Sequence, residues 1–370
     1  MISQQEEVKI KEGRLHELMD RYGLQGVLLK RAANCSWFTG GRLNLADSAA
    51  GLSTVSLLVT LTGRYVIAGS FEGSRALAEE GLAELGFELV YSEWFEGRET
   101  GLIARMVNGN LGKVGADVNF AVCVNIGNDI KQMRYRLTES EIDRYLFFGE
   151  KFSQAVERGM LEIKQGATER EVAGRISALL WAEGIEPVGL TVTSDQRIFT
   201  CRQAMPTAHK IERCVMASVI ARYKGLLATI TRMRYFGRPT DRLQRQYQDN
   251  VTIECQMILA TKPGIPAVEG MNAGLAAYTE LGYKDEWRVI NLGGAMGYKP
   301  RDFIVTPQTT EIVADNQAYC WNPSITGTRT EDGFIATTKG PLMITKPVLY
   351  PQLVFEHNGI KLVRPGLYSD

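Results

Sequence analysis

Apolar residues recur at helical spacing in Leu15, Leu18, Met19 and Tyr22, and Gly23 and Gly26 then bracket a short link into Val27-Leu28-Leu29. This reads as a helix followed by a strand. Residues 54–59 and 64–68 flank Thr60-Leu61-Thr62-Gly63, a glycine-containing hairpin connection. The pattern next predicts a helix over 74–85, a strand over 87–91, a helix over 101–107 and a strand over 113–117. Strands alternating with helices at this spacing predict a mixed sheet covered by helices, an α/β domain of roughly 130 residues.

Thr138-Glu139-Ser140-Glu141 has the spacing of a capping box and opens a long helix with apolar Ile142, Tyr145, Leu146, Phe152, Val156 and Ile163. An internal repeat follows, because Lys164, Gly166 and Gly184 recur 98 residues later as Lys262, Gly264 and Gly282. Each copy reads long helix, Lys-x-Gly connector, second helix, glycine stop, then strands. The first copy pairs Thr168 with Glu171 as a helix cap, and the second starts its helix after Pro266, which suits a first-turn position. Residues 317–338 read as strand, Pro/Gly/Thr turn region and strand. The expected fold class is α+β, with two αββ halves related by a pseudo-twofold axis in the second domain. The expected domains are residues 1–130 and 131–370, with the boundary inside 119–137.

A chain of 370 residues with 45% apolar content suffices for two sizeable cores. Its 42 Lys and Arg balance its 42 Asp and Glu, so no global field favours nucleic acid or an anionic membrane. The N-terminal stretch lacks the basic and apolar regions of a signal peptide, and no run reaches transmembrane length. A cytoplasmic location with no membrane partner is the expectation. The six cysteines are scattered without Cys-x-x-Cys or nearby His, which points to reduced, mostly buried thiols.

Gly327-Thr328-Arg329-Thr330-Glu331-Asp332, followed by Phe334-Ile335-Ala336, resembles the closing strand of the pita-bread (M24) family of Xaa-Pro aminopeptidases, prolidases and creatinase. The resemblance extends over essentially the whole chain. The element order of the first domain resembles the creatinase-like N-terminal domain, in which Asn34-Cys35-Ser36-Trp37-Phe38-Thr39-Gly40 corresponds to the loop after the first strand. In the family, the counterpart of Glu331 bridges two divalent cations together with two aspartates, a histidine and another glutamate. The resemblance puts Ser218, Thr229, Gly294 and Asn322 at those four positions, and Arg301-Asp302 where the family has a His-Glu pair. A two-cation centre needs several oxygen or nitrogen ligands holding metals about 3.5–4 Å apart. One carboxylate among hydroxyls and an amide does not hold two hard cations, so neither a metal nor another cofactor is expected.

The resemblance implies a catalytic Glu331 acting as general base or nucleophile, with Arg301 and Arg202 orienting an anionic group. Thr229 and Asn322 would hydrogen-bond the reacting centre, with Arg232 and Gly294 also lining the pocket. Trp37, Arg42 and Asn44 would reach a partner's site in a homodimer. Simpler readings stand beside these: Glu331-Asp332 as a structural carboxylate pair with Arg232, the arginines as ordinary ion-pair residues, Gly293-Gly294 as a plain turn, and Trp37 as core. No phosphate-loop fingerprint surrounds the glycines, and His209 reads as an exposed turn residue. The expected function is metal-independent hydrolysis of a C–N bond in a small polar or amino-acid-like substrate, as in creatinase and ectoine hydrolase. The alternative is a catalytically inactive, peptidase-like binding protein, as in the histone chaperone subunit with a metal-free domain of this kind. A third reading is an atypical metal-dependent Xaa-Pro aminopeptidase.

Overall fold

Ser3 Oγ accepts the backbone N–H of Glu6, and Gly23 closes the same helix with φ +61°, so α1 (Gln4–Tyr22) is capped at both ends by residues suited to those positions. The computed structural model describes residues 3–42 and 51–370, and Asn44 lies outside the described residues. By compactness the chain divides into Met1–Glu141 with Lys224–Leu226, and Ile142–Tyr223 with Leu227–Asp370.

In the first unit α1 leads into β1 (Gly26–Arg31), α2 (Ala32–Phe38), β2 (Leu52–Thr60), β3 (Arg64–Ala68), α3 (Ser70–Ala78), β4 (Phe87–Tyr91), α4 (Glu99–Met106), β5 (Val114–Ala116), β6 (Val124–Asn125) and α5 (Gly127–Met133). The sheet order is β4-β3-β2-β1-β5-β6, and it is mixed: β2 runs antiparallel to both β1 and β3, whereas β5 runs parallel to β1. Leu28, Leu58, Ile67, Ile103 and Val114 pack together in its core.

Two expectations are corrected here. Residues 34–38 belong to helix α2 and are not a loop, because the Asp117 carboxylate accepts the N–H groups of Lys30 and Arg31 and the Asn34 side chain, turning the chain directly from strand into helix. Helix α3 ends at Ala78 and does not run to 85. Gly81, at φ +64°, reverses the chain, and the Leu82 N–H returns to the Ala76 carbonyl.

The chain continues with α6 (Glu139–Glu162), where Thr138 and Glu141 exchange side chain–backbone hydrogen bonds of 2.8 and 3.3 Å. It continues through α7 (Glu169–Ala182), β7 (Glu186–Ser194), α8 (Gln196–Thr200), β8 (Cys214–Tyr223), β9 (Leu226–Tyr235), α9 (Asp241–Ala260) and α10 (Val268–Glu280). The closing strands are β10 (Gly293–Ala295), β11 (Phe303–Ile304), β12 (Gln317–Trp321), β13 (Ser324–Ile325), β14 (Thr328–Arg329), β15 (Glu331–Thr337), β16 (Gly340–Met343), β17 (Gln352–His357), β18 (Ile360–Pro365) and β19 (Tyr368–Ser369). The main sheet follows β11-β10-β12-β15-β9-β8-β7.

The repeat is visible in backbone detail. The Gly166 N–H donates to the Ile211 carbonyl at 2.8 Å, and the Gly264 N–H donates to Val313 at 2.9 Å. All four repeat glycines, Gly166, Gly184, Gly264 and Gly282, have φ between +67° and +88°, a region that favours residues without Cβ. Thr168 and Glu171 form a complete capping box. Tyr247, Met257, Tyr319, Trp321 and Phe334 pack into one core. Among the described residues, no helix is long and apolar enough to cross a membrane.

Candidate functional site

β15 pairs antiparallel with β9, with Glu331 opposite Thr231 and Asp332 opposite Ile230. Successive strand side chains leave on opposite faces, so Thr231 and Glu331 share one face while Arg232 and Asp332 share the other.

On the first face Glu331 is only 3% exposed. Its Oε1 accepts from Arg301 Nη2 at 3.3 Å and from Cys320 Sγ at 3.6 Å. Oε2 accepts from Thr231 Oγ1 at 2.8 Å and Arg329 Nη2 at 2.9 Å. Behind this shell, Ser218 and Thr231 hydroxyls lie 2.7 Å apart, and Thr229 Oγ1 donates to Cys320 Sγ at 2.6 Å. Burial pushes the Glu331 carboxyl up, but the charges of Arg329 and Arg301 and the hydrogen bonds from Thr231 and Cys320 outweigh it and hold the group below its ordinary value. Burial and the Glu331 charge push the Cys320 thiol far up, so it stays a protonated donor and not a thiolate nucleophile.

This donor set does not fit a pair of divalent cations. It offers three hydroxyls, an amide and a thiol around one carboxylate that already binds two guanidiniums. A Cβ at Gly294 would lie 2.2 Å from the Phe303 carbonyl oxygen and 3.1 Å from Ile304 Cα, so β10, between β11 and β12, admits no histidine there. Asn322, 2% exposed, leaves Oδ1 without a hydrogen-bond partner among the described residues. Among the described residues, no three His, Cys, Asp or Glu side chains are grouped to hold a metal.

On the second face Arg232 donates to Glu157 at 2.7 Å and to Asp332 at 3.1 and 3.2 Å, while Arg364 donates to Glu254 at 2.6 Å and Asp332 at 2.8 Å. Arg232, Asp332, Arg364, Glu157 and Glu254 are all fully buried. Arg232 is therefore a structural ion-pair residue and not the substrate contact expected from the sequence.

The other candidates scatter. Arg202 lies in an ion pair with Glu286 at 2.7 Å and bonds Ser324 and Thr326. Trp37 is fully buried in the first unit, with its carbonyl accepting from Lys11 at 2.7 Å, so it is core. Arg42 is tied to Glu80 and Gln4 within that unit. His209 is about one-third exposed and meets Asp195 Oδ2 at 3.3 Å. Arg329, Thr231 and Cys320 were missed as site residues by the sequence reading. Arg329, two positions before Glu331 in near-continuous extended chain, could have been found from strand alternation alone.

The two αββ halves and the Gly-x-Arg-x-Glu-Asp strand define a pita-bread protein of α+β class. The chain belongs to metallopeptidase family M24, whose pattern matches residues 148–342. It is 25% identical over 228 residues to an uncharacterized peptidase of Staphylococcus aureus (strain MW2), covering 58% of this chain and 64% of that protein, just under two thirds of its length. It is 23% identical over 342 residues to a Xaa-Pro dipeptidase of Pyrococcus horikoshii, covering 89% of this chain and 95% of the relative. The solved structure of dipeptidase PepE from Mycobacterium ulcerans superposes with a TM-score of 0.76 at 16% identity, covering 99% of this chain and 98% of that one. At that identity the likeness concerns the fold alone.

Proposed function

We propose that this chain is a metal-independent member of family M24 that recognises a small polar, amino-acid-like or peptide-like ligand at the Glu331 face. The observation that carries this reading is the pairing of one carboxylate with two guanidiniums where the family pattern calls for cations. Arg301 is the more exposed of the two, at 18%, and a guanidinium suits bidentate capture of a carboxylate. Glu331 itself makes a poor general base, because both oxygens are engaged and its pKa is held down, whereas an efficient base titrates near the working pH. Hydrolysis of a C–N bond is the second reading, favoured by family membership and by the likeness to the Pyrococcus horikoshii Xaa-Pro dipeptidase over 89% of the chain. It requires Arg301 to swing onto the substrate and release Glu331 Oε1.

Elemental analysis tests the shared premise. The purified protein should carry no stoichiometric divalent metal, and chelators should leave its thermal stability unchanged. Manganese, cobalt or zinc at about two equivalents per chain would overturn it. Calorimetry and turnover assays with Xaa-Pro dipeptides then separate the readings. Binding weakened by Arg301→Gln without turnover supports the first, and turnover abolished by Glu331→Gln supports the second. In both readings the protein is proposed to act as a cytoplasmic homodimer without nucleic-acid or membrane partners; a monomer by light scattering at micromolar concentration would remove the dimer. The proposed division near residue 130 is open to limited proteolysis, which would contradict it with a stable fragment starting well inside α6.

A further inference from the structure

The second unit contains a cavity of about 850 Å3 whose lining includes neither Glu331 nor Arg301. Its size falls within the range of pockets that enclose small organic ligands. Phe199, Leu243 and Tyr283 supply apolar wall, and Arg213, Arg242 and His209 supply cationic or titratable groups. Phe199 is 50% exposed and packs so closely on Gly327, at φ +107°, that a Cβ there would lie 2.6 Å from its ring.

The cationic side of the cavity is built by one strained residue. Asp195 follows β7 with φ +51° and ψ −126°, a conformation that strains a non-glycine residue and persists where surrounding contacts enforce it. Its carboxylate accepts the backbone N–H groups of Glu212, Arg213 and Cys214 at 2.7, 2.8 and 2.9 Å and faces His209. This clamp fixes segment 209–214 as cavity wall and anchors the backbone from which Arg213 projects.

The wall's acids are largely committed. Asp195 is held as described, and Glu286 accepts from Arg202 and from the backbone and side chain of Thr326. Glu212 is the remaining acid. Neither the Arg213 nor the Arg242 guanidinium has an ion-pair partner among the described residues, so two uncommitted guanidiniums stand against the single uncommitted carboxylate of Glu212 beside aromatic surface.

We propose that this cavity binds a small organic anion with a planar apolar body, an aromatic carboxylate or an aryl phosphate. The anionic group pairs with Arg213 and Arg242, and the ring lies against Phe199 and Tyr283. The site is independent of the Glu331 face, so its fate and that of the proposed function are separable.

Isothermal titration of the full chain with phenylacetate, phenyl phosphate and neutral benzyl alcohol tests this. At least one of the two acids should bind, and the better one should bind about tenfold or more tighter than benzyl alcohol, with Arg213→Gln/Arg242→Gln removing that advantage. Phe199→Ala should weaken all three probes, and Glu331→Gln should change none. Which acid binds better identifies the head group. Undiminished acid binding in the double arginine variant, equal affinity for benzyl alcohol, or no binding of either acid at millimolar concentration overturns the proposal. Loss of binding in Glu331→Gln, with the variant still fully folded under the titration conditions by circular dichroism, would relocate the ligand to the other face and overturn it too.

Discussion

Glu331 and Asp332 are adjacent on one strand and each holds two guanidiniums, yet they serve different ends. Asp332, with Arg232 and Arg364, is sealed from solvent and joined by Glu157 and Glu254. Burial, followed by the neighbouring Asp332 charge, raises the pKa of Glu254 against the opposing pull of Arg364. Glu331 faces Arg301 and Arg329, which keep 18% and 9% of their side-chain surface. The same chemistry is thus a closed structural joint on one face of the sheet and a solvent-reachable cluster on the other. Residue type does not separate the two roles; access does.

The largest expected effect tests the closed side. Asp332→Ala removes the carboxylate that Arg232 and Arg364 share, and breaking such a buried pair typically costs about 3–5 kcal/mol. Urea unfolding should show a loss of that order, and a change below about 1 kcal/mol would mean the network is not structural. Glu331→Gln should cost less, about 1–3 kcal/mol, because Arg301 regains hydration at its exposed edge while Arg329 keeps an amide acceptor. If it costs as much as Asp332→Ala, the two faces are equally sealed and the comparison fails.

A pH series sharpens the contrast. The folded pKa of Glu331 lies below its unfolded value, so its contribution is complete above the ordinary carboxylate range and is lost as pH falls through the lowered folded pKa. The stability gap between wild type and Glu331→Gln should therefore narrow from pH 6 towards acid. A gap that widens on acidification would reverse the assigned sign. The smallest effect is expected from Ser218→Ala, which removes the 2.7 Å contact with Thr231, about 0.5–1.5 kcal/mol. A null result there would place Ser218 outside the supporting shell.

Much of the fold was legible because its signals are local. The Thr138/Glu141 and Thr168/Glu171 caps, the glycines with positive φ at both repeat connectors, and the alternation of β15 each depend on residues within a few positions of one another. The candidate site was legible only in part. Glu331 could be singled out from its strand motif, and Arg329 lay two positions away, but assigning Arg232 to the same cluster failed. Its neighbour Thr231 turns to the Glu331 face, which sends Arg232 to the opposite one.

What the sequence by itself determined is therefore most of the elements and the internal repeat, since these follow from short-range spacing, whereas the loss of ligand types at four positions is what the family resemblance implies. Only the tertiary structure decided that Asp117, 86 positions downstream of Arg31, turns the chain from strand into the helix of residues 32–38. It likewise decided that Arg364 and Glu254 complete the Asp332 network, and that Arg301 meets Glu331. A guanidinium has no sequence-encoded partner: which carboxylate it meets depends on register and on the face of the sheet, and those exist only once distant strands have paired.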